Sequence, residues 1–283
     1  MRNTVLITGC SSGLGKATAK YFAQNGWNVL ATMRQPEAGK ELTKLNNVRI
    51  IRLDVRDPDS IRAAVAAGIQ RFGRIDALVN NAGFGLFGVF EATPQERIQE
   101  QFSVNVFGAM NLIRELLPHF RVNKKGVILN ISSGAGVFGL PMISLYCASK
   151  FALEGFSEAL SYELASQNIT VKIVEPGGMV KTNFGKRSAQ EAALADRIPD
   201  YDEFVTQASC LFERLRATRL GSEDKVAEVI FNAATDGTNQ LRYVATEDIK
   251  PWIEARRQTS EEEYIAYMRR QLTSSMATDE SIR

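Results

Sequence analysis

Tyr146 and Lys150 stand four residues apart in Tyr146-Cys-Ala-Ser-Lys150, thirteen residues after Ser133. On a helix that spacing puts a phenol and an ammonium on one face, with Cβ atoms roughly 5 to 6 Å apart. A cation about 5 Å from a phenol, at an effective dielectric of about 20, contributes roughly 3 kcal/mol toward the phenolate, or about two pH units off a free tyrosine's pKa of about 10. The expectation is a phenol that trades protons near neutral pH, an acid/base catalyst with its pKa adjuster beside it.

A second group of residues lies at the other end of the chain. Thr4-Val-Leu-Ile7 is a short apolar run, Thr8-Gly-Cys-Ser-Ser-Gly-Leu-Gly15 a glycine-rich turn, and Lys16 to Asn25 a helical stretch. Strand, glycine loop and helix in that order can cradle a nucleotide. Gly9 takes the positive-φ turn, Gly13 lets backbone approach a pyrophosphate, and Gly15 permits close packing of helix on sheet. The phosphate then meets the free N–H groups of the helix N-terminus.

Together these segments resemble the short-chain dehydrogenase/reductases, from Thr4 to about Thr182 and more weakly through Ala245. The family's glycine motif is matched by Thr8, Gly9, Gly13 and Gly15, its Asn-Asn-Ala-Gly by Asn80 to Gly83, and its active-site Asn by Asn105. Its catalytic Ser, Tyr and Lys fall on Ser133, Tyr146 and Lys150. Within the family, Ala31-Thr-Met-Arg34, Leu53-Asp-Val-Arg-Asp57 and Tyr146-Cys-Ala-Ser-Lys-Phe-Ala-Leu-Glu-Gly155 look most like the 17β-hydroxysteroid and retinol dehydrogenase branch.

The resemblance implies a nicotinamide dinucleotide held by Gly9, Ser11, Ser12, Gly13, Leu14, Gly15, Arg34, Asp54, Val55, Asn81, Ala82, Gly83, Tyr146, Lys150, Pro176, Gly177 and Thr182. Tyr146 is expected to donate a proton to a carbonyl oxygen, Ser133 to hydrogen-bond the developing oxyanion, Lys150 to hold the ribose hydroxyls, and Asn105 to support a water path. Thr182 lies one residue later than in the commonest family pattern. Asp54 is expected on the adenine amino group. Met33 occupies the place of the carboxylate that would accept an NAD 2′-hydroxyl, and Arg34 follows with a fork suited to a 2′-phosphate. NADP(H) is therefore expected in preference to NAD(H).

The elements that must position these residues follow from alternating apolar runs and helical patterns. Strands are predicted near residues 4–7, 29–32, 48–53, 77–80, 127–131, 170–174 and 242–245. Seven strands with helices between them predict an α/β fold, a single doubly wound Rossmann domain over residues 1–272 with a parallel sheet covered on both faces. The family resemblance implies the strand order 3-2-1-4-5-6-7. A helix is predicted from Pro94 to about Phe120, capped by Thr93 and carrying Asn105. Residues 178–222 break the pattern and correspond to the family's substrate lid; residues 273–283 form a polar tail.

Phe84, Leu86, Phe87 and Phe90, with Phe138, Leu140, Met142, Ile143 and Leu145, border the family's pocket and suit a bulky apolar carbonyl or alcohol. The helix after Tyr146 carries Ala148, Phe151, Ala152, Gly155 and Ala159 at helical spacing, a surface for close pairing in a homodimer or homotetramer.

Composition narrows the partners. Lys and Arg total 34 against 32 acidic residues, so no basic field favours nucleic acid or anionic membrane. No run of about 18 apolar residues predicts a membrane span. The three cysteines, Cys10, Cys147 and Cys210, lack metal-ligand spacing and read as free thiols of a cytoplasmic protein; His119, the only histidine, is expected on the surface near a helix end, and no metal site is predicted. Rival readings are a 3-oxoacyl thioester reductase, which would favour basic residues at the pocket mouth, and an NADPH-sensing regulator, which would dispense with the Tyr or Lys. An extended-branch epimerase would need a larger sugar-nucleotide domain than this chain holds.

Overall fold

The computed structural model describes residues 2–179, 197–217 and 221–273. Seven strands, β1 (Thr4–Ile7), β2 (Asn28–Met33), β3 (Val48–Arg52), β4 (Ala77–Asn80), β5 (Gly126–Ile131), β6 (Ile169–Glu175) and β7 (Arg242–Val244), form one parallel sheet in the order β3-β2-β1-β4-β5-β6-β7. The inner strands are apolar at most positions because both faces of the sheet are buried, whereas the edge strands β3 and β7 carry Arg49, Arg52 and Arg242. Val5, Ile7, Val29 and Ala31 pack on one side while Leu6, Leu30, Leu78 and Ile128 pack on the other.

The first face is covered by α1 (Gly13–Gln24) and α7 (Glu223–Thr235), which bring Phe22, Val226 and Ile230 onto the sheet. The opposite face is covered by α2 (Pro58–Phe72), α4 (Gly108–Val122) and α5 (Ser144–Ala165), through Ile61, Leu112 and Leu160. A further apolar cluster lies beside the C-terminal ends of β5 to β7. There α8 (Lys250–Gln258) and α9 (Glu261–Thr273) set Ile253, Tyr264 and Met268 against Phe138.

The helical run predicted from Pro94 differs in two respects. Pro94 itself is the N-cap of α3 (Gln95–Phe102), and the Thr93 hydroxyl donates to the Val89 carbonyl at 3.1 Å, closing the preceding turn instead of capping the helix. Residues Ser103–Phe107 then form a π-helical turn before α4 begins. That turn sets Asn105 inward, 2% exposed. His119 lies in the last turn of α4, near a helix end as expected, where its half-buried ring accepts a 3.0 Å hydrogen bond from the Ile75 N–H.

Part of the interval expected to be irregular, residues 178–222, is the regular helix α6 (Asp202–Ala217), acidic in its first turn and basic in its last, as the helix dipole favours. Residues 180–196, 218–220 and the tail from 274 lie outside the described residues. Among the described residues no helix is long and apolar enough to cross a membrane.

Candidate active site

The C-terminal ends of the strands open into a cavity of about 660 Å³. Its floor begins at the turn after β1. Gly9 and Gly13 have φ of +73° and +53°, in the left-handed region that glycine adopts without strain. A Cβ on Gly15 would come within 2.3 Å of the Gly9 carbonyl, so the loop folds back on its own helix only because that residue is glycine. The turn after β4 holds it there. Thr8 Oγ1 accepts from the N–H groups of Asn81 and Ala82 at 3.0 and 2.9 Å, and Asn81 Nδ2 donates to the Thr8 carbonyl at 2.8 Å.

Ser12 is the N-cap of α1 in extended conformation but makes no side-chain cap, so the first N–H groups of the helix face the cavity without that competitor. Such an N-terminus, with two positive-φ glycines before it, fits the pyrophosphate of a dinucleotide. Every residue assigned to the cofactor from the sequence lines this cavity except Thr182, which lies outside the described residues. At the adenosine end, burial pushes the Asp54 carboxyl up, but hydrogen bonds and charge from Arg56, with Arg34 adding its charge, hold it below the usual range. Asp54 is thus already engaged by Arg56, through contacts of 3.3 and 3.1 Å.

At the other end of the cavity stand Ser133, Tyr146 and Lys150. Ser133 follows β5 in extended backbone, its Oγ accepting from the Ala135 N–H at 3.2 Å and hydrogen-bonded to the Tyr146 phenol. Tyr146 and Lys150 share a face of α5, and the Lys150 ammonium donates to the Ile131 carbonyl at 2.8 Å. Burial dominates both titrations. It pushes the Tyr146 phenol up to about 12 against the lowering bond from Ser133, and pushes Lys150 down to about 8 against the charge of Glu154. The lowered phenol expected from Lys150 alone is therefore corrected for this state: desolvation of the phenolate outweighs the neighbouring cation.

Asn105 does not line the cavity but braces its wall. Its amide accepts from the Phe84 N–H at 3.1 Å and donates to the Phe84 carbonyl at 2.9 Å and to Ser149 Oγ at 3.1 Å. The turn after β4 and helix α5 are thereby tied together at the level of Tyr146, whose carbonyl accepts from Ser149 at 2.8 Å.

The remaining wall is apolar. Phe84, Leu86, Phe87, Phe138, Leu140 and Ile143 line it as expected, whereas Phe90 is 62% exposed and faces a separate outer cleft with the buried Met142. Leu145 lines neither. Sequence reasoning missed Phe212 and Leu215 on α6 and Trp252 on α8, which complete the wall; Phe212 stacks edge-on against Phe87 at 4.9 Å, and Trp252 against Phe138 at 5.0 Å. The spacing of Phe204, Ala208, Leu211, Phe212 and Leu215 is helical and could have revealed α6. Also missed were Thr246 and Asp248, which accept from the N–H groups of Gly177 and Gly178 at 2.8 and 2.9 Å and so fix the turn after β6.

Residues 3–193 match the short chain dehydrogenase family model. The chain is 42% identical to 3-ketodihydrosphingosine reductase of Bacteroides thetaiotaomicron, over 74% of this chain and 76% of that protein. It is 32% identical to 17-beta-hydroxysteroid dehydrogenase type 1 of Mus musculus, over 99% of this chain and 84% of that protein. A short-chain dehydrogenase from Streptomyces avermitilis superposes with a TM-score of 0.80 at 32% identity, covering 97% of this chain and 96% of its own.

Proposed function

The chain belongs to the short-chain dehydrogenase family, and from that premise we propose that it is an NADP(H)-dependent oxidoreductase acting on the carbonyl or alcohol of a bulky apolar substrate, in the steroid, retinoid or aromatic-ketone range. The observation that carries the reading is the single cavity in which Ser133, Tyr146 and Lys150 face an aromatic wall while Arg34 and the glycine loop line the opposite end. The names of two relatives, one a 3-ketodihydrosphingosine reductase and one a 17-beta-hydroxysteroid dehydrogenase, support the same chemistry.

When bound, the nicotinamide supplies the hydride for reduction or accepts it in oxidation. The chain does the rest. Ser133 and Tyr146, hydrogen-bonded to each other in the free chain, exchange that bond for two O–H donations to a carbonyl oxygen, and Tyr146 gives up its proton as negative charge builds there. A phenol held protonated by burial is suited to the donating role. Lys150 holds the ribose hydroxyls and places positive charge beside the phenolate that remains. Asn105 keeps α5 in register with the turn after β4, so these groups stay aligned. Free, buried Cys10 and Cys147 suit a cytoplasmic setting, and an exposed stripe on α5 suits a homodimer or homotetramer.

The test is a purified-protein screen following NADPH absorbance against ketones of varied size, repeated with Tyr146→Phe. The variant keeps the ring and loses the proton, so turnover falls by about a hundred- to ten-thousandfold with cofactor affinity little changed. Turnover above about a tenth of the parent's removes Tyr146 from the donor role. Arg216, exposed on α6 and lining the same cavity, favours a second reading, a 3-oxoacyl thioester reductase whose acidic carrier would meet a basic mouth. A carrier-linked 3-oxoacyl thioester outperforming every free ketone in the screen would establish that reading.

A further inference from the structure

Helix α5 carries four titratable side chains at intervals of four: Tyr146, Lys150, Glu154 and Glu158. Such residues stack along one face. The first two open onto the cavity. The third is a buried carboxylate, 6% exposed, in a part of the molecule where an acid needs a reason.

Glu154 belongs to a charge cluster that the reaction scheme above does not use. Arg242, at the start of β7, contacts Glu154 at 2.9 Å, Glu158 at 2.6 Å and Glu175 at 3.6 Å. Glu175, at the end of β6 and fully buried, is also paired with Arg257 of α8. Three carboxylates thus face two guanidiniums. Buried charge left unbalanced is costly, and the third cation at hand is Lys150, one helical turn from Glu154 and itself buried. Packing brings the groups together: a Cβ on Gly136 would lie 3.0 Å from Glu154 Cγ, 2.6 Å from Ser132 Oγ and 3.3 Å from the Lys150 carbonyl carbon. Ser132 Oγ and Glu154 Oε1 are buried without a hydrogen-bond partner in good geometry among the described residues. One carboxylate oxygen is therefore held by Arg242, and the Ser132 hydroxyl beside the carboxylate helps to keep it ionised against burial.

We propose that Glu154 is a positioning residue for Lys150: clamped by Arg242 one turn along α5, its carboxylate keeps the buried Lys150 amine protonated and seated on the Ile131 carbonyl. The groups that face Glu154 are Lys150 and Ser132 on one side and Arg242 and Glu175 on the other. Burial pulls Lys150 toward neutrality, and Glu154 is the charge that opposes it. A neutral Lys150 would hold the ribose hydroxyls less firmly and would no longer stabilise a phenolate at Tyr146. Its importance for catalysis rests on the oxidoreductase reading above; its effect on the amine does not.

The amine is read directly by trace labelling with acetic anhydride across pH, quantified at Lys150 by mass spectrometry, since only the neutral amine reacts and the side chain lines the cavity. The parent protein is expected to show its midpoint at about 8. In Glu154→Gln the midpoint falls by about one pH unit, and the alkaline limb of carbonyl reduction moves down with it. Glu158→Gln, which touches the same arginine one turn further from Lys150, leaves the midpoint in place. An unchanged midpoint in a cooperatively folded Glu154→Gln protein, or equal movement in both variants, overturns the proposal. If Glu154→Gln does not fold, Glu154→Asp decides: withdrawing the carboxylate by one methylene lowers the midpoint by a smaller amount, and no change refutes the idea. Labelling needs no substrate, so its failure is separate from a failure of the reductase assay.

Discussion

Lys150 Nζ lies 5.7 Å from the centre of the Tyr146 ring while donating to the Ile131 carbonyl at 2.8 Å. The ammonium is tethered to the C-terminal end of β5 beside the phenol, and both groups are almost fully withdrawn from water. Position and desolvation act on the pair in opposite senses. The geometry favours a charged lysine beside a phenolate, and burial favours a neutral lysine beside a phenol. The balance between them leaves the phenol up at about 12 and the amine down at about 8.

That balance makes Lys150 a residue held at a cost in stability. An amine at about 8 in the folded chain and 10.5 when unfolded binds its proton more weakly once folded. The penalty is complete below pH 8, shrinks as pH rises toward 10.5 and is absent above it. The full difference corresponds to about 3 kcal/mol, and loss of the Ile131 bond and of a counter-charge for Glu154 offsets part of it. Lys150→Met is therefore expected to gain about 1 to 3 kcal/mol at pH 7 in urea unfolding, with the gain declining by pH 10. A variant equally or less stable at pH 7 would refute this assignment of the cost.

The strands, the glycine loop and the pairing of Tyr146 with Lys150 were legible because each rests on local spacing: apolar runs of strand length, glycines at a strand end, two residues one helical turn apart; the strand order and the role of Ser133 came from the family resemblance. The misreadings arise where a distant contact decides. Nothing in Phe102-Ser-Val-Asn-Val106 announces a π turn, which exists where Asn105 reaches Phe84 and Ser149. Phe90 and Phe87 look alike in sequence, yet only Phe87 meets an aromatic partner on α6. The phenol's titration was misjudged because a pairwise charge is visible in spacing and burial is not.

In the proposed reading, cofactor choice turns on Arg34. It lines the cavity beside Met33, so the end of β2 offers no carboxylate to a 2′-phosphate, and the nearby Asp54 is engaged by Arg56. Arg34→Ala is expected to weaken NADPH by about 1.5 to 3 kcal/mol and to leave NADH nearly unchanged, since only a phosphate contact is lost. Fluorescence titration with each cofactor measures both, and equal losses would transfer the preference to another residue.

Assembly can be tested without disturbing the fold. Ala148, Phe151, Ala152, Gly155 and Ala159 are all exposed on α5, with Tyr162 continuing the stripe at 72% exposure. A Cβ on Gly155 meets nothing within 4 Å in its own chain. Gly155→Arg is thus expected to fold normally while blocking close approach of a second α5, converting a dimer or tetramer to a smaller species by light scattering at micromolar concentration. An unchanged mass would place the interface elsewhere, and a monomeric parent would end the proposal.

The aromatic wall gives the last expectation. Phe87 is held edge-on by Phe212, and Phe138 by Trp252, so the cavity is bounded by paired rings instead of single mobile side chains. A multi-ring or long-chain ketone can bury several methylenes against them, at about 0.8 kcal/mol each, whereas an acetone-sized ketone leaves the rings wet. Three or four methylenes supply the roughly 2.8 kcal/mol of differential transition-state binding that a hundredfold gain in kcat/KM requires. Phe212→Ala removes one ring and the support of another, so the large substrate loses about tenfold or more while the small one is little affected. Efficiency that stays flat with substrate size, or falls equally for both substrates in the variant, would show that these rings shape the fold and not the choice of substrate.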